Sequence, residues 1–369
     1  MAVADLWAVE FLLLAFAGGA FGAAVGALQS FSLAGLVVIV GEVYALVHRS
    51  AGAGPPPVDV TGSVGFGPVL GPHVAFGGGA AAVAFAARQG YLDTDFEYHD
   101  AKLVTRGLGA RPDVLAVGGA FGVVGYWVAT ASATLGVPTD PVALGVVLSA
   151  LAHRVALGYD VIGAPLSRVF DMSPFERGER RAAAGTGAES APGEGSGEAT
   201  ATAPDGGEGR LAVEPWLAYQ YRWSGVTVLG GVVGILGGYL AYLTGSAFLA
   251  FGISVVALAF LCADVAEIPV THHMSLPAST VVVGSADVAT PLAPGAVAGA
   301  MPLSEAVLLG ALFGVVGALL GEAAQRVLYA HADTHLDPPA ASIVLTSLLI
   351  GGLALVGVLP ESAWIPLPA

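Results

Sequence analysis

Phe11–Val40, Val114–Thr139 and Thr227–Cys262 are three stretches of this chain without one Asp, Glu, Lys or Arg. At 1.5 Å rise per residue, about 20 apolar residues cross the hydrocarbon layer of a bilayer. Each stretch therefore has room for one or two spanning helices. Only 11% of the 369 residues are charged and 55% are hydrophobic, whereas about a quarter of a soluble domain is charged. The composition is that of a polytopic membrane protein. In hydrocarbon every backbone amide must bond within the protein, so runs of this length are expected as helices and the class as all-α.

One pentapeptide, Phe-Gly-Val-Val-Gly, occurs at Phe121–Gly125 and again at Phe313–Gly317. Each copy lies in an apolar segment that runs on to an Asp-Pro pair, Asp140-Pro141 and Asp337-Pro338. The text after each pair also matches, from Val142 to Leu151 and from Pro339 to Leu348. The expected architecture is one membrane unit written twice, a signature of transporter folds. Hydropathy places helices at about 8–27, 30–48, 66–87, 114–136 and 141–163, then at 225–244, 247–266, 269–286, 303–329 and 340–359. The domains expected are a first membrane repeat, 1–163, a linker, 164–214, and a second repeat, 215–369. The linker core Ala182–Gly209 has no basic residue and nothing apolar larger than Ala or Pro. Such a composition buries too little surface to fold, so a disordered linker is expected.

Basic residues set the expected topology. Arg88, Lys102, Arg106 and Arg111 crowd the loop after the third helix, and six Arg flank or occupy the linker. The N-terminus, the connections near Gln29, Val137 and Thr244, and the C-terminal tail have none. The positive-inside rule puts the third loop and linker in the cytoplasm and both termini outside, in a multi-pass protein of the cell membrane. Five crossings per half would invert the second repeat relative to the first. If the third helix of each half instead re-enters, each half has four crossings and the repeats are parallel. The first arrangement misplaces Arg49 and the second Arg326. The 24 residues of Val64–Ala87 carry no charge apart from the titratable His73, which favours five.

The net charge of -15 resides in loops and suggests a chain adapted to a high-salt cytoplasm. No basic stripe exists to neutralise phosphates, so nucleic acid is not an expected partner. Cys262 is the sole cysteine, which excludes an intrachain disulfide and a thiolate zinc site. No Lys or Arg precedes the first apolar run, so that run is read as a retained helix, not a cleaved signal.

Two apolar segments at matching positions begin with proline and histidine: Phe66–Gly79, which ends in three glycines, and Ile268–Thr280. Pro and Gly break helices, and freed backbone groups at membrane depth are tolerated where they are covered by protein or line an aqueous cavity. These two broken third helices are expected to meet and line a substrate path through His73, Gly77, Gly78, Gly79, His272, His273, Ser275 and Pro277. The plain alternative is close helix packing through the glycines. Carboxylates inside apolar runs are costly, which makes Glu42 and Glu322 candidate ion-coupling groups. For Glu322 an i,i+4 ion pair with Arg326 is the structural alternative. Arg154 is expected to snorkel to the cytoplasmic interface. His331, Asp333 and His335 have the residue types and spacing of a divalent-metal set, and a hydrated polar loop is the alternative.

Gly71–Gly79, Pro138–Leu144 and Pro269–Ala278 carry a resemblance to an uncharacterised family of prokaryotic, haloarchaeal polytopic membrane proteins described as permease-like. It covers the chain apart from the linker and implies no functional residues. The five-plus-five layout is also similar, in outline, to urea-channel and other inverted-repeat folds. The expectation is a transporter or channel, not an enzyme, that moves a small solute or ion between two repeats and needs no cofactor. Its surroundings are the lipid bilayer, and Gly-rich faces permit a homo-oligomer. An intramembrane metalloenzyme built on the His/Asp set is the alternative from a different class. A scaffold or sensor using the acidic linker is the third.

Overall fold

The computed structural model describes residues 3–165, 168–181, 201–202, 209–288 and 293–368. The first half contains α1 (Val9–Val25), α2 (Ala27–Ser50), α3 (Ala75–Arg88), α4 (Pro112–Thr134) and α5 (Pro141–Leu157). The second contains α6 (Trp223–Thr244), α7 (Leu249–Val256), α8 (Leu258–Cys262), α9 (His272–Ser285), α10 (Leu303–Ala324) and α11 (Pro338–Leu355). A π-helical stretch, Gln325–Tyr329, extends α10. The all-α class holds, with one two-residue strand pair, Arg180–Arg181 with Ala201–Thr202, among the described residues.

Five helices are long and apolar enough to cross a membrane: α2, α4, α6, α10 with its π extension, and α11. Their outward faces carry Val40, Val228, Leu308, Leu312 and Leu348, and their inward faces carry Gly and Ala. This is the distribution of a protein whose solvent is lipid, where small residues let backbones approach. Gly230, Gly234 and Gly238 of α6 mesh with Gly310 and Gly314 of α10, and Gly19 of α1 meshes with Gly118 and Gly122 of α4.

The same packing order recurs in both halves. α1 lies against α4 and α3, and α5 against α4 and α3. α6 lies against α10 and α9, and α11 against α10 and α9. Two helix pairs join the halves, and both are antiparallel. Along α2 and α7–α8, Glu42 meets Ser246, Gly35 meets Val255, and Ser32 meets Cys262. Along α5 and α11, Asp140 meets Ser347 while His153 meets Thr334, just before α11.

The third segments differ from the predicted full-length helices. Helix 66–87 begins only at Ala75, and 269–286 only at His272. Fourteen residues in each make about 21 Å, short of the ~30 Å core. Non-helical chain completes the traverse on both. The carbonyl of His73 rests on Gly125, midway along α4, and that of His273 on Gly317, midway along α10. Both third helices therefore start near mid-depth and run to opposite ends of the bundle. The predicted helix 247–266 is likewise two pieces, α7 and α8.

Loops gather at two ends. One end holds the terminal segments, with Leu367 over Gly136 and Phe248 against Trp364. The other holds the chain on either side of the linker. The linker core Ala182–Gly209 lies largely outside the described residues. What flanks it is packed: Leu211 and Ala212 bond Glu97 and Glu179, and Glu214 bonds Ala330. Lys102 Nζ donates to Glu214 Oε2 at 2.6 Å and to the Tyr329 carbonyl at 2.9 Å, with both ionic side chains almost fully buried. Burial pulls the Lys102 ammonium down to about 8, against the opposing pull of Glu214.

Candidate functional site

Asp140 and Asp337 are the residues around which the interior is organised. Each is the N-cap of a helix with Pro at its first position, the residue pair best suited to start one. Asp140 Oδ1 accepts the Val142 and Ala143 amides at 2.8 and 3.1 Å, and Asp337 Oδ2 accepts the Ala340 amide at 2.9 Å. Asp140 lies level with Ser347, ten residues beyond Asp337 on the antiparallel helix, so the two carboxylates are ~15 Å apart in depth. Both are 6% exposed.

A cavity with about 410 Å³ of empty space, part of it open to the outside, is lined by both. Asp140 borders it on one side and Asp337 on the other, and its waist is formed by Phe31, Phe66, Phe76 and Phe251. The rings stand at 5.7–6.2 Å between centroids for Phe31–Phe76, Phe31–Phe251 and Phe66–Phe251. His272 also borders the cavity, edge-on to Phe31 at 5.1 Å, and its Nδ1 has no hydrogen-bond partner.

A second cavity, of about 980 Å³, adjoins at the terminal end and shares Asp140, Phe66 and Val142 with the first. Glu42, Asp59 and His73 line it. A third, of about 300 Å³, lies at the linker end, where His273 and Pro338 follow His272 and Asp337 of the central cavity. It is lined by His273, Gly321, Glu322, Gln325 and Pro338, and Trp216 and Gln220 close over it. Four lining residues of the outer two hold matching places relative to the two pentapeptides and Asp-Pro pairs: His73 and His273, Ala129 and Gly321, Ala133 and Gln325, Pro141 and Pro338.

Of the residues expected on a path, His73, His272 and His273 border these cavities. The others serve helix contacts. Gly78 faces Gly118 and Gly19, Gly79 faces Gly22 and Ala27, and Pro277 faces Gly317. Gly77 lies 3.5 Å from Ser149 Oγ, measured from the position of a Cβ, and the Ser275 hydroxyl bonds its own helix at His272. Glu42 accepts the hydroxyls of Thr61 at 2.7 Å and Ser246 at 2.6 Å, which clamps the terminal-end vestibule. Glu322 takes Arg326 Nε at 2.6 Å and Gln325 at 2.9 Å, which realises the i,i+4 pair.

Arg154 does not snorkel. It is fully buried, and its guanidinium donates to Thr334 Oγ1 and to the carbonyls of Val161, Leu328 and Thr334.

His331, Asp333 and His335 point to three different partners: the Val169 carbonyl, Arg210 and Asp337. Among the described residues no group of three or more His, Cys, Asp or Glu is placed to hold a metal ion.

The sequence-derived site left out Asp140, Asp337 and the four Phe. The duplicated Asp-Pro pair was the available signal for the carboxylates. For the rings, which come from three separate segments, no local signal exists.

The description of a family of unknown function, DUF7973, matches residues 1–368. The chain belongs to that family. No curated protein and no solved structure matches it.

Proposed function

We propose that this protein is a membrane transporter or channel whose path runs between two inverted copies of one five-segment unit. The observation that carries this reading is a set of three cavities, the central one lined by both halves and the outer two lined by residues at matching positions of the two halves. The inverted relation is supported by the two antiparallel pairs that join the halves, since a twofold axis in the membrane plane turns each helix against its own counterpart. It is supported again by third helices that start at mid-depth and leave in opposite directions. Half-helices with unwound partners are tolerated in hydrocarbon only inside protein or beside a cavity.

The linker end faces the cytoplasm in this reading. Every Lys and Arg except Arg49 lies at that end or close to it, which is the asymmetry the positive-inside rule describes. The acidic, basic-poor surface fits a high-salt interior and a prokaryotic cell membrane.

The test is reconstitution in liposomes at high salt, with a flux panel of neutral solutes, cations and anions, comparing wild type with His273→Ala. Flux that falls in the variant supports the path. Folded protein that passes no member of the panel would remove the transport reading.

A further inference from the structure

Resting on that reading, we infer that the path selects a small amine-type cation, which meets Asp140 and Asp337 in turn on either side of the four clustered phenylalanines.

The charge of the lining gives the sign. Carboxylates stand at every stage: Glu42 and Asp59 in the terminal-end vestibule, Asp140 and Asp337 at the two ends of the central cavity, and Glu322 in the linker-end cleft. No Lys or Arg lines any of the three. The nearest, Arg326, is committed to Glu322 and to the carbonyls of Phe170 and Tyr221. An anion would meet repulsion at each step and no donor with a formal charge.

The waist gives the chemical class. A hard ion such as sodium, magnesium or calcium gives up its water only to a shell of oxygens. Phe31, Phe66, Phe76 and Phe251 supply none. Aromatic faces do attract ammonium and guanidinium groups. N–H donors on such a cation match the acceptor-only carboxylates at both ends. Asp140 commits only Oδ1 to its helix, so Oδ2 is left without a protein donor. His272 is the independent observation: it shares an unpartnered Nδ1 with His73, His153, His273, His331 and His335, and of these it is the one that lines the central cavity, at 2% exposed. A polar group buried without a partner is costly unless something visits it.

The probe is radiolabelled guanidinium, a permanent cation that does not leak through lipid as a neutral base, with methylammonium as competitor and urea and glycerol as neutral controls. The variants are Asp140→Asn and Asp337→Asn. Asn caps a helix as well as Asp, so the helix starts are preserved. Guanidinium flux that methylammonium competes away, and that falls about tenfold or more in either variant, is the expected result. Phe251→Leu removes one ring and leaves both carboxylates, and lowers guanidinium flux in the same assay; it serves if an Asn variant fails to fold. Flux of urea or glycerol without guanidinium flux overturns the cation assignment and leaves the transport reading standing. Sodium flux equal to that of guanidinium also overturns it. No flux of any solute overturns both.

Discussion

The carbonyl oxygen of His73 occupies the place where Gly125 would carry a Cβ, and the carbonyl of His273 stands in the same relation to Gly317. The final glycine of each pentapeptide is therefore a seat for the start of a half-helix. Ala at either position collides with backbone that has nowhere to go. Gly125→Ala and Gly317→Ala are expected to cost at least ~1–3 kcal/mol. Gly352→Ala is the control: no atom lies within 4 Å of its Cβ position, and the change stays within ~1 kcal/mol. Thermal unfolding in detergent measures all three, and equal melting temperatures would contradict the seating role.

Lys102 and Glu214 form a buried pair that fastens the chain after the linker to the loop before α4. Lys102→Ala leaves a carboxylate buried with the His99 amide at 3.1 Å and Arg210 at 3.5 Å as its remaining partners. The expected loss is ~3 kcal/mol, the low end for a broken buried pair. Lys102→Met combined with Glu214→Leu, which removes both charges, is expected to recover part of it. A double variant less stable than Lys102→Ala would refute this.

The same lysine gives the wild type a pH dependence. Its folded pKa of about 8 lies below the ~10.4 of an unfolded chain. Between these values the unfolded state binds more protons, so Lys102 adds stability as pH rises through that window. Below pH 8 both states hold the proton and the contribution is flat. The melting-temperature difference between wild type and Lys102→Met is therefore expected to widen from pH 7.5 to 9.5. A constant difference would exclude the shift.

Arg154 ties α5 to the loop 328–334 through bonds that a planar fork of donors can make at once. Lysine has three donors on one point and cannot span them. Arg154→Lys is expected to destabilise by ~2–4 kcal/mol, leaving several carbonyls unpaired. Wild-type stability in this variant would mean that the buried carbonyls find other donors.

Glu42→Gln and Glu322→Gln separate coupling from structure. Glu42 is held by two hydroxyls, so its amide variant is expected to fold normally and to lose the pH dependence of uptake. Glu322→Gln strips a buried arginine of its counter-charge and is expected to lower the melting temperature as well. Unchanged uptake with unchanged pH dependence in both would remove the coupling role.

Helix positions were legible because hydrocarbon imposes them: hydropathy placed α1, α2, α4, α6, α10 and α11 to within a few residues. The same rule overextended the third segments. Phe66–Val74 is apolar but non-helical, since its amides are satisfied by turns inside the protein, a condition hydropathy does not sense. Arg154 misled for a related reason. A lone arginine near a helix end reads as interfacial, and the carbonyls that bury it come from a loop some 180 residues away. At Asp140 and Asp337 the duplicated text was visible, but N-cap and cavity wall are the same residues, and only the first role leaves a local mark.

The backbone amide of Arg181 bonds the carbonyl of Arg210 at 2.9 Å, so the chain departs for the linker and returns from it at one point. The connection between these two residues starts and ends at a single stapled neck. Lengthening such a loop costs only about 0.6 kcal/mol per doubling. The two halves are thus mechanically indifferent to what joins them. A fluorescent protein could be inserted there, or the chain cut and its halves made as two polypeptides, with the membrane body still assembling across α2–α7 and α5–α11.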